Sequence, residues 1–222
     1  MQAVIFDLDQ TLIDRSLAVK RFSEVLWQEF LAETGGSFST FLSQVQALDG
    51  NGYVPREDFF ESMMRTFPQK FPSRKIVEGL FHIQLRNTPP LADGVVEVLS
   101  KLQKMNIALG IVTNGSAEAQ QAKISNSGLD SFIDAVIISE SLGTNKPAPS
   151  IYEAVISRLQ IDPNHSWFVG DHPVNDIWGS KQLGFSTAWI HLNDQWPPDV
   201  ERCYDVAGET FSETMTKVLG SI

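Results

Sequence analysis

The hydrophobic positions of this chain follow two different rhythms, and the change between them divides it. Short, unbroken apolar runs occur at 2–6, 107–112, 134–138, 166–169 and 186–190. A strand with one wet face would alternate apolar and polar residues. Unbroken runs of this length instead predict strands covered on both faces, as in a parallel sheet. Between the runs, Val95, Val96, Val98, Leu99 and Leu102 keep helical spacing, with Asp93 as the expected cap. Ser116 should cap a polar helix, and Pro149 should open one over 151–159. A third helix is expected from Pro173 to Gln182, ending at Gly184, and a last one near 209–219. Strand and helix in alternation predict an α/β fold, a doubly wound, Rossmann-like parallel sheet.

Residues 15–89 break this pattern. Val19, Phe22, Val25 and Leu26, and later Phe59, Phe60, Met63 and Met64, keep helical spacing, and no convincing strand interrupts them. Turn clusters at Gly35-Gly36-Ser37 and Asp49-Gly50-Asn51-Gly52 cut the stretch into several helices. The expectation is a core domain made of 1–14 and 90–222, with an α-helical domain of 15–89 inserted into it. A length of 222 residues suits one core carrying a smaller insert.

The net charge of −10 argues against a nucleic acid polymer held through its phosphates. A small phosphorylated metabolite remains compatible with it, because a local cation can override the global field. Cys203 is the single cysteine, so no internal disulfide can form, which fits a reducing compartment. The N-terminus lacks a basic region, and Asp7 and Asp9 interrupt its apolar run, unlike a signal peptide. No stretch approaches a membrane span. A soluble, cytoplasmic protein is expected.

Chemistry gathers after four of the predicted strands. In open α/β sheets ligands bind beyond the carboxyl ends, so these four places can converge on one crevice. The first is Asp7-Leu8-Asp9-Gln10-Thr11: one acid could attack an electrophile and the other move a proton. The second is Thr113-Asn114-Gly115, whose hydroxyl and amide could hold phosphate oxygens. Ordinary Asn-Gly turn chemistry capped by Ser116 would explain that stretch equally. The third is Lys146, placed to neutralise a phosphate or restrain a carboxylate unless it is a plain surface lysine. The fourth, Gly170-Asp171-His172-Pro173-Val174-Asn175-Asp176, offers hard oxygen ligands suited to Mg²⁺, or an aspartate capping the next helix.

Taken together and in this order, these residues resemble the haloacid dehalogenase-like (HAD) superfamily, most of whose members are phosphatases. Asp7-x-Asp9-x-Thr11 matches its first motif, Thr113 the second, Lys146 the third and Gly170-Asp171-x-x-x-x-Asp176 the fourth. The resemblance covers essentially the whole chain and makes the inserted helices its cap domain. It implies a Mg²⁺-dependent phosphatase acting on a small phosphorylated metabolite. Asp7 would be the nucleophile, forming an aspartyl-phosphate, and Asp9 the acid and then the base. Thr113, with Asn114 as an extra contact, would hold the phosphoryl group, and Lys146 would offset its charge. Asp7, the backbone carbonyl of Asp9 and Asp171 would bind the metal, and Asp176 would support it directly or through water. Gln10 departs from the pattern, since many members carry glycine or an acid there.

Dehalogenases of this superfamily usually lack an acid at the position of Asp9, which favours phosphoryl transfer. A phosphomutase of the β-phosphoglucomutase kind would share every core residue, and a non-catalytic binding protein would have no need of Asp7, Asp9, Lys146 and Asp171 together. Arg15, Lys20, Trp27, Arg56 and Arg65 are candidate specificity residues in the insert, each otherwise a solvated charge or a core aromatic. His172 supports a metal ligand at most. Cys203 is expected to be inert. Trp196 sits in a Pro-rich loop, free to pack on the sheet edge or on a partner.

Overall fold

The computed structural model describes residues 2–33, 35–192 and 195–222. It divides into two compact units, Met1–Ile13 with Leu91–Ile222, and Asp14–Pro90.

The first unit is built on β1 (Ala3–Phe6), β2 (Ala108–Thr113), β3 (Ala135–Ile138), β4 (Trp167–Gly170), β5 (Ser186–Ile190) and β6 (Val206–Gly208). All pair in parallel, in the order β3-β2-β1-β4-β5-β6. Successive β1 side chains go to opposite faces. Val4 and Phe6 join one apolar layer, while Ala3 and Ile5 join the other. Both layers are covered by helices, which is why all four β1 residues are buried and the run is unbroken.

Among the described residues the α-helices are α1 (Arg15–Leu26), α2 (Phe38–Asp49), α3 (Arg56–Thr66), α4 (Arg74–His82), α5 (Val95–Lys104), α6 (Ala117–Asn126), α7 (Ser139–Leu142), α8 (Pro149–Leu159), α9 (Gly179–Lys181) and α10 (Phe211–Leu219). Val95, Leu99 and Leu102 of α5 and Phe211, Met215 and Val218 of α10 fill the layer of Val4 and Phe6. Ile151, Tyr152 and Val155 of α8 fill the other layer. Ser116 caps α6 by accepting the amide of Ala119, and Pro149 stands at the start of α8. No helix among the described residues is long and apolar enough to cross a membrane.

Two local expectations are corrected. The cap of α5 is Gly94 at φ +83°, not Asp93, and no described side chain accepts from that helix end. The expected helix after β4 is present and opens as a π-helix, Pro173–Trp178, before α9. A sixth strand follows the Trp196 loop. Trp196 itself settles on the sheet edge, edge-on to Trp189 of β5 with ring centroids 5.0 Å apart, its indole N–H donating to the carbonyl of Val200.

The second unit is all helix and rests on aromatic side chains. Phe22, Phe59, Phe60 and Phe81 are buried together, with Phe22 edge-on to Phe81 at 5.3 Å. Trp27 packs on Phe38 and Phe41, whereas Lys20 and Arg65 are exposed. Arg15 is not a solvated charge. Its guanidinium is buried and forks onto the Asp49 carboxylate at the end of α2, one arm at 2.6 Å. Arg56 adds a bond to the same carboxylate at 2.9 Å and another to the Gly52 carbonyl at 3.0 Å. Gly52, at φ +90°, lets the loop cross directly over Arg15, where a Cβ would meet the guanidinium at 2.9 Å.

Asp49→Ala would strand the buried Arg15 charge and should destabilise the helical unit by about 3 kcal/mol in urea unfolding. Burial opposes ionisation of Asp49, but Arg15 and Arg56 outweigh it and hold the carboxyl below its ordinary 3.8. A carboxyl depressed by folding contributes fully above that ordinary value and loses its contribution as the pH falls through the folded one. The difference between wild type and Asp49→Ala should therefore be constant near neutrality and shrink in acid.

Candidate active site

The carboxyl ends of β1, β2 and β4 lie side by side at the centre of the sheet, and the residues just beyond them form the site. Asp7 directly follows β1, its amide donating to the carbonyl of Val169 at 2.9 Å. Lys146 arrives from the loop before α8. Its ammonium donates to Asp7 Oδ1 and to Asp176 Oδ1, each at 2.6 Å, and lies 5.7 Å from the centre of the Phe168 ring. Lys146 is thus a buried cation held between two buried carboxylates, not a surface lysine.

Three features fix that lysine and its partners. The Asn114 side chain accepts from the Lys146 amide at 2.8 Å and donates to the Lys146 carbonyl at 3.2 Å, locking the loop to the end of β2. Asp176 Oδ2 accepts the amide of His172 at 2.9 Å, which orients its other oxygen towards Lys146. Gly170, at the end of β4, leaves room for the Asp176 side chain, which any Cβ there would strike. The turn is capped by His172 and not by an aspartate: its Nδ1 accepts the amides of Val174 and Asn175 at 3.1 and 3.0 Å. Burial pushes the His172 pKa down against the pull of Asp176, which suits a neutral ring with its proton on Nε2.

Carboxylate oxygens of Asp7, Asp171 and Asp176 all lie within 4.8 Å of one another. Burial raises the Asp7 carboxyl to about 7, with Lys146 opposing and Asp176 adding to the rise. Burial and the charges of Asp176 and Asp7 also hold Asp171 well above the ordinary range. Burial works against the Lys146 ammonium too, but the two aspartates outweigh it and raise its pKa. One lysine therefore does not balance three acids. A hard divalent cation with oxygen ligands fits this excess charge and this donor set. The indole N–H of Trp189 donates to the Asp171 carbonyl at 2.7 Å and steadies that corner.

Asp9 has separate partners. Its two oxygens accept from the Lys123 ammonium at 2.8 and 2.6 Å, and Oδ2 also accepts from Gln120 Nε2 at 3.1 Å. Gln120 donates in addition to the Thr113 hydroxyl at 2.7 Å, so one amide links the second acid to the hydroxyl at the end of β2. Neither Gln120 nor Lys123 stands out in the sequence. The available signal was their i, i+3 spacing in a stripe with Ala117 and Ile124, which puts polar residues on the inward face of a helix lying over a sheet. Thr11 is fully buried, and its hydroxyl has no hydrogen-bond partner among the described residues. Gln10 adopts φ +63°, the left-handed conformation that glycine takes without strain.

Residues 4–190 match the family model for haloacid dehalogenase-like hydrolases. The chain belongs to this family. The HAD match takes in all four motifs and the helical unit. Among curated HAD relatives, glyceraldehyde 3-phosphate phosphatase of Pyrococcus abyssi is 28% identical over 200 residues, covering 86% of this chain and 81% of that one. Human N-acylneuraminate-9-phosphatase is 28% identical over 210 residues, covering 87% and 84%. The solved structure of Bacillus subtilis YfnB, a HAD hydrolase bound to magnesium, superposes with a TM-score of 0.76 at 22% identity, covering 98% of each chain. That likeness places the fold of this chain among HAD structures.

Gly170→Ala should displace Asp176 from Lys146 at the centre of this HAD site. The expected cost is about 2 kcal/mol, the usual range for forcing an atom into packed space, read by thermal or urea unfolding. An unchanged midpoint would mean that the Asp176 side chain has room the geometry denies it.

Proposed function

We propose that this HAD hydrolase is a Mg²⁺-dependent phosphatase that cleaves phosphomonoesters of small metabolites through an aspartyl-phosphate on Asp7. The observation that carries this reading is Asp7 itself: a buried carboxylate fixed by Lys146 within 4.8 Å of two further acids, with a second acid, Asp9, two residues on. The names of the curated relatives, phosphatases of glyceraldehyde 3-phosphate and of N-acylneuraminate 9-phosphate, support a phosphorylated small molecule as substrate.

In this reading Asp7, the backbone carbonyl of Asp9, Asp171 and Asp176 hold Mg²⁺. The ion, when bound, supplies positive charge against the substrate phosphate and the crowded acids. A carboxylate oxygen of Asp7 forms a bond to phosphorus while the ester P–O bond breaks, and Asp9 gives its proton to the departing oxygen. Water then attacks the phosphoryl group, Asp9 takes a proton from it, and the Asp7–phosphoryl bond breaks to release phosphate. Lys146 keeps Asp7 oriented and offsets its charge as the phosphate approaches. The Thr113 hydroxyl and the amides after β2 hold the phosphoryl oxygens. Asn114 contributes mainly by fixing Lys146. Asp9 favours this chemistry over dehalogenation, which has no leaving oxygen to protonate.

We assign the units Met1–Ile13 with Leu91–Ile222 the chemistry and Asp14–Pro90, the cap, the choice of leaving group. Arg15 and Arg56 serve the Asp49 loop there.

The decisive assay measures phosphate release with Mg²⁺ from sugar phosphates, nucleoside monophosphates and phosphoglycolate. Asp7→Asn should lower the rate by at least about a thousandfold, and chelation of the metal should stop release in the wild type. Asp7→Asn turning over like wild type would remove Asp7 as nucleophile. Interconversion of sugar-phosphate isomers without net phosphate release would make the enzyme a mutase.

A further inference from the structure

Lys123 and Gln120 are buried polar side chains one turn apart on α6, a helix that otherwise needs apolar contacts on its inward face. Burying an ammonium and an amide is costly unless each finds partners, and both find Asp9. Lys123 donates to both oxygens of Asp9, and Gln120 donates to Asp9 Oδ2, to Thr113 Oγ1 and to the carbonyl of Asn114, the last at 3.2 Å. The two lysines of the site are therefore divided between the two acids of the first motif. Lys146 takes Asp7, and Lys123 takes Asp9.

A carboxylate held at both oxygens by one ammonium has its plane fixed, although its own two torsions would otherwise let it turn. We propose that Lys123, with Gln120, is the positioning residue of Asp9. Lys123 sets the direction in which that carboxyl faces, and Gln120, through its bond to Thr113, ties that direction to the phosphate-holding end of β2. This rests on the reading of Asp9 as the group that protonates the leaving oxygen. The two-oxygen hold suits the ionised group, which must accept a proton from water. In the half-reaction that expels the leaving group, one oxygen carries the proton, and the other stays on Lys123 and keeps the proton aimed.

The dependence of rate on leaving group tests this, because a poor leaving group needs an aimed proton and a good one does not. The probes are phenyl phosphate and p-nitrophenyl phosphate, compared through kcat/KM, which reports the step that expels the leaving group. Lys123→Met should lose about tenfold or more on phenyl phosphate and less than about threefold on p-nitrophenyl phosphate, and Lys123→Arg should recover most of the loss. Gln120→Met, which removes a donor without stranding a charge, should show the same asymmetry more weakly, and it carries the test should Lys123→Met fail to fold. Equal losses on the two esters, or none on either, would overturn the positioning role and leave Lys123 a structural cation. A wild type that releases phosphate from neither aryl ester nor any metabolite would instead overturn the phosphatase reading on which the inference stands.

Discussion

The contact on which the site depends is the ammonium of Lys146 set between Asp7 and Asp176. Buried ion pairs repay their desolvation only when geometry is close and the remaining polar atoms are satisfied. Here the surroundings meet that demand. Asn114 holds the lysine's backbone from both sides, the amide of His172 takes the free oxygen of Asp176, and Gly170 clears the space that Asp176 occupies. Asp7 follows β1, Asn114 follows β2, Asp176 follows β4 and Lys146 precedes α8, so these contacts also pin those ends to one another. Stability and site geometry are therefore carried by the same few bonds.

The sheet order explains why these loops meet at all. From β1 the chain builds outward through β2 and β3, then returns to the other side of β1 with β4 and continues to β5 and β6. The reversal lies between β1 and β4, and at such a switch point the loops leave in opposite directions and open a crevice. Asp7 stands on one side of it and Asp171 and Asp176 on the other, with Thr113 one strand further along. The family match gives this arrangement its chemical context, since it spans all of these positions.

Much of this was legible in the sequence. Where a strand is covered on both faces the pattern is an unbroken apolar run, and the five such runs lie within a residue or two of five strands. The acids and the lysine followed from their position after those runs. What escaped notice has physical causes. Strand β6 is three residues long, too short to leave a run. Gly94 ends up as a cap because its left-handed conformation turns the chain, a property that Asp93 obscured. Arg15 looked like surface charge because its partner, Asp49, lies 34 residues away, and Lys123 was hidden similarly, 114 residues from Asp9. A polar residue on a helix looks solvated until the tertiary structure brings a counter-charge to it.

The same long-range pairs bear on how an anion could enter a protein with ten excess negative charges. At physiological ionic strength, charges more than about 8 Å apart are largely screened, so the global charge matters less than the groups around the crevice. Those groups are Asp7, Asp9, Asp171 and Asp176 against Lys123 and Lys146, which leaves two formal negative charges in excess. Burial raises the carboxyls of Asp7 and Asp171, and the neighbouring acids add to the rise. A dianionic phosphate would add to the excess of charge. In the proposed mechanism a divalent cation would bring the local sum near zero before the phosphate arrives. On that reading the two lysines would set direction, and the metal would balance the charge.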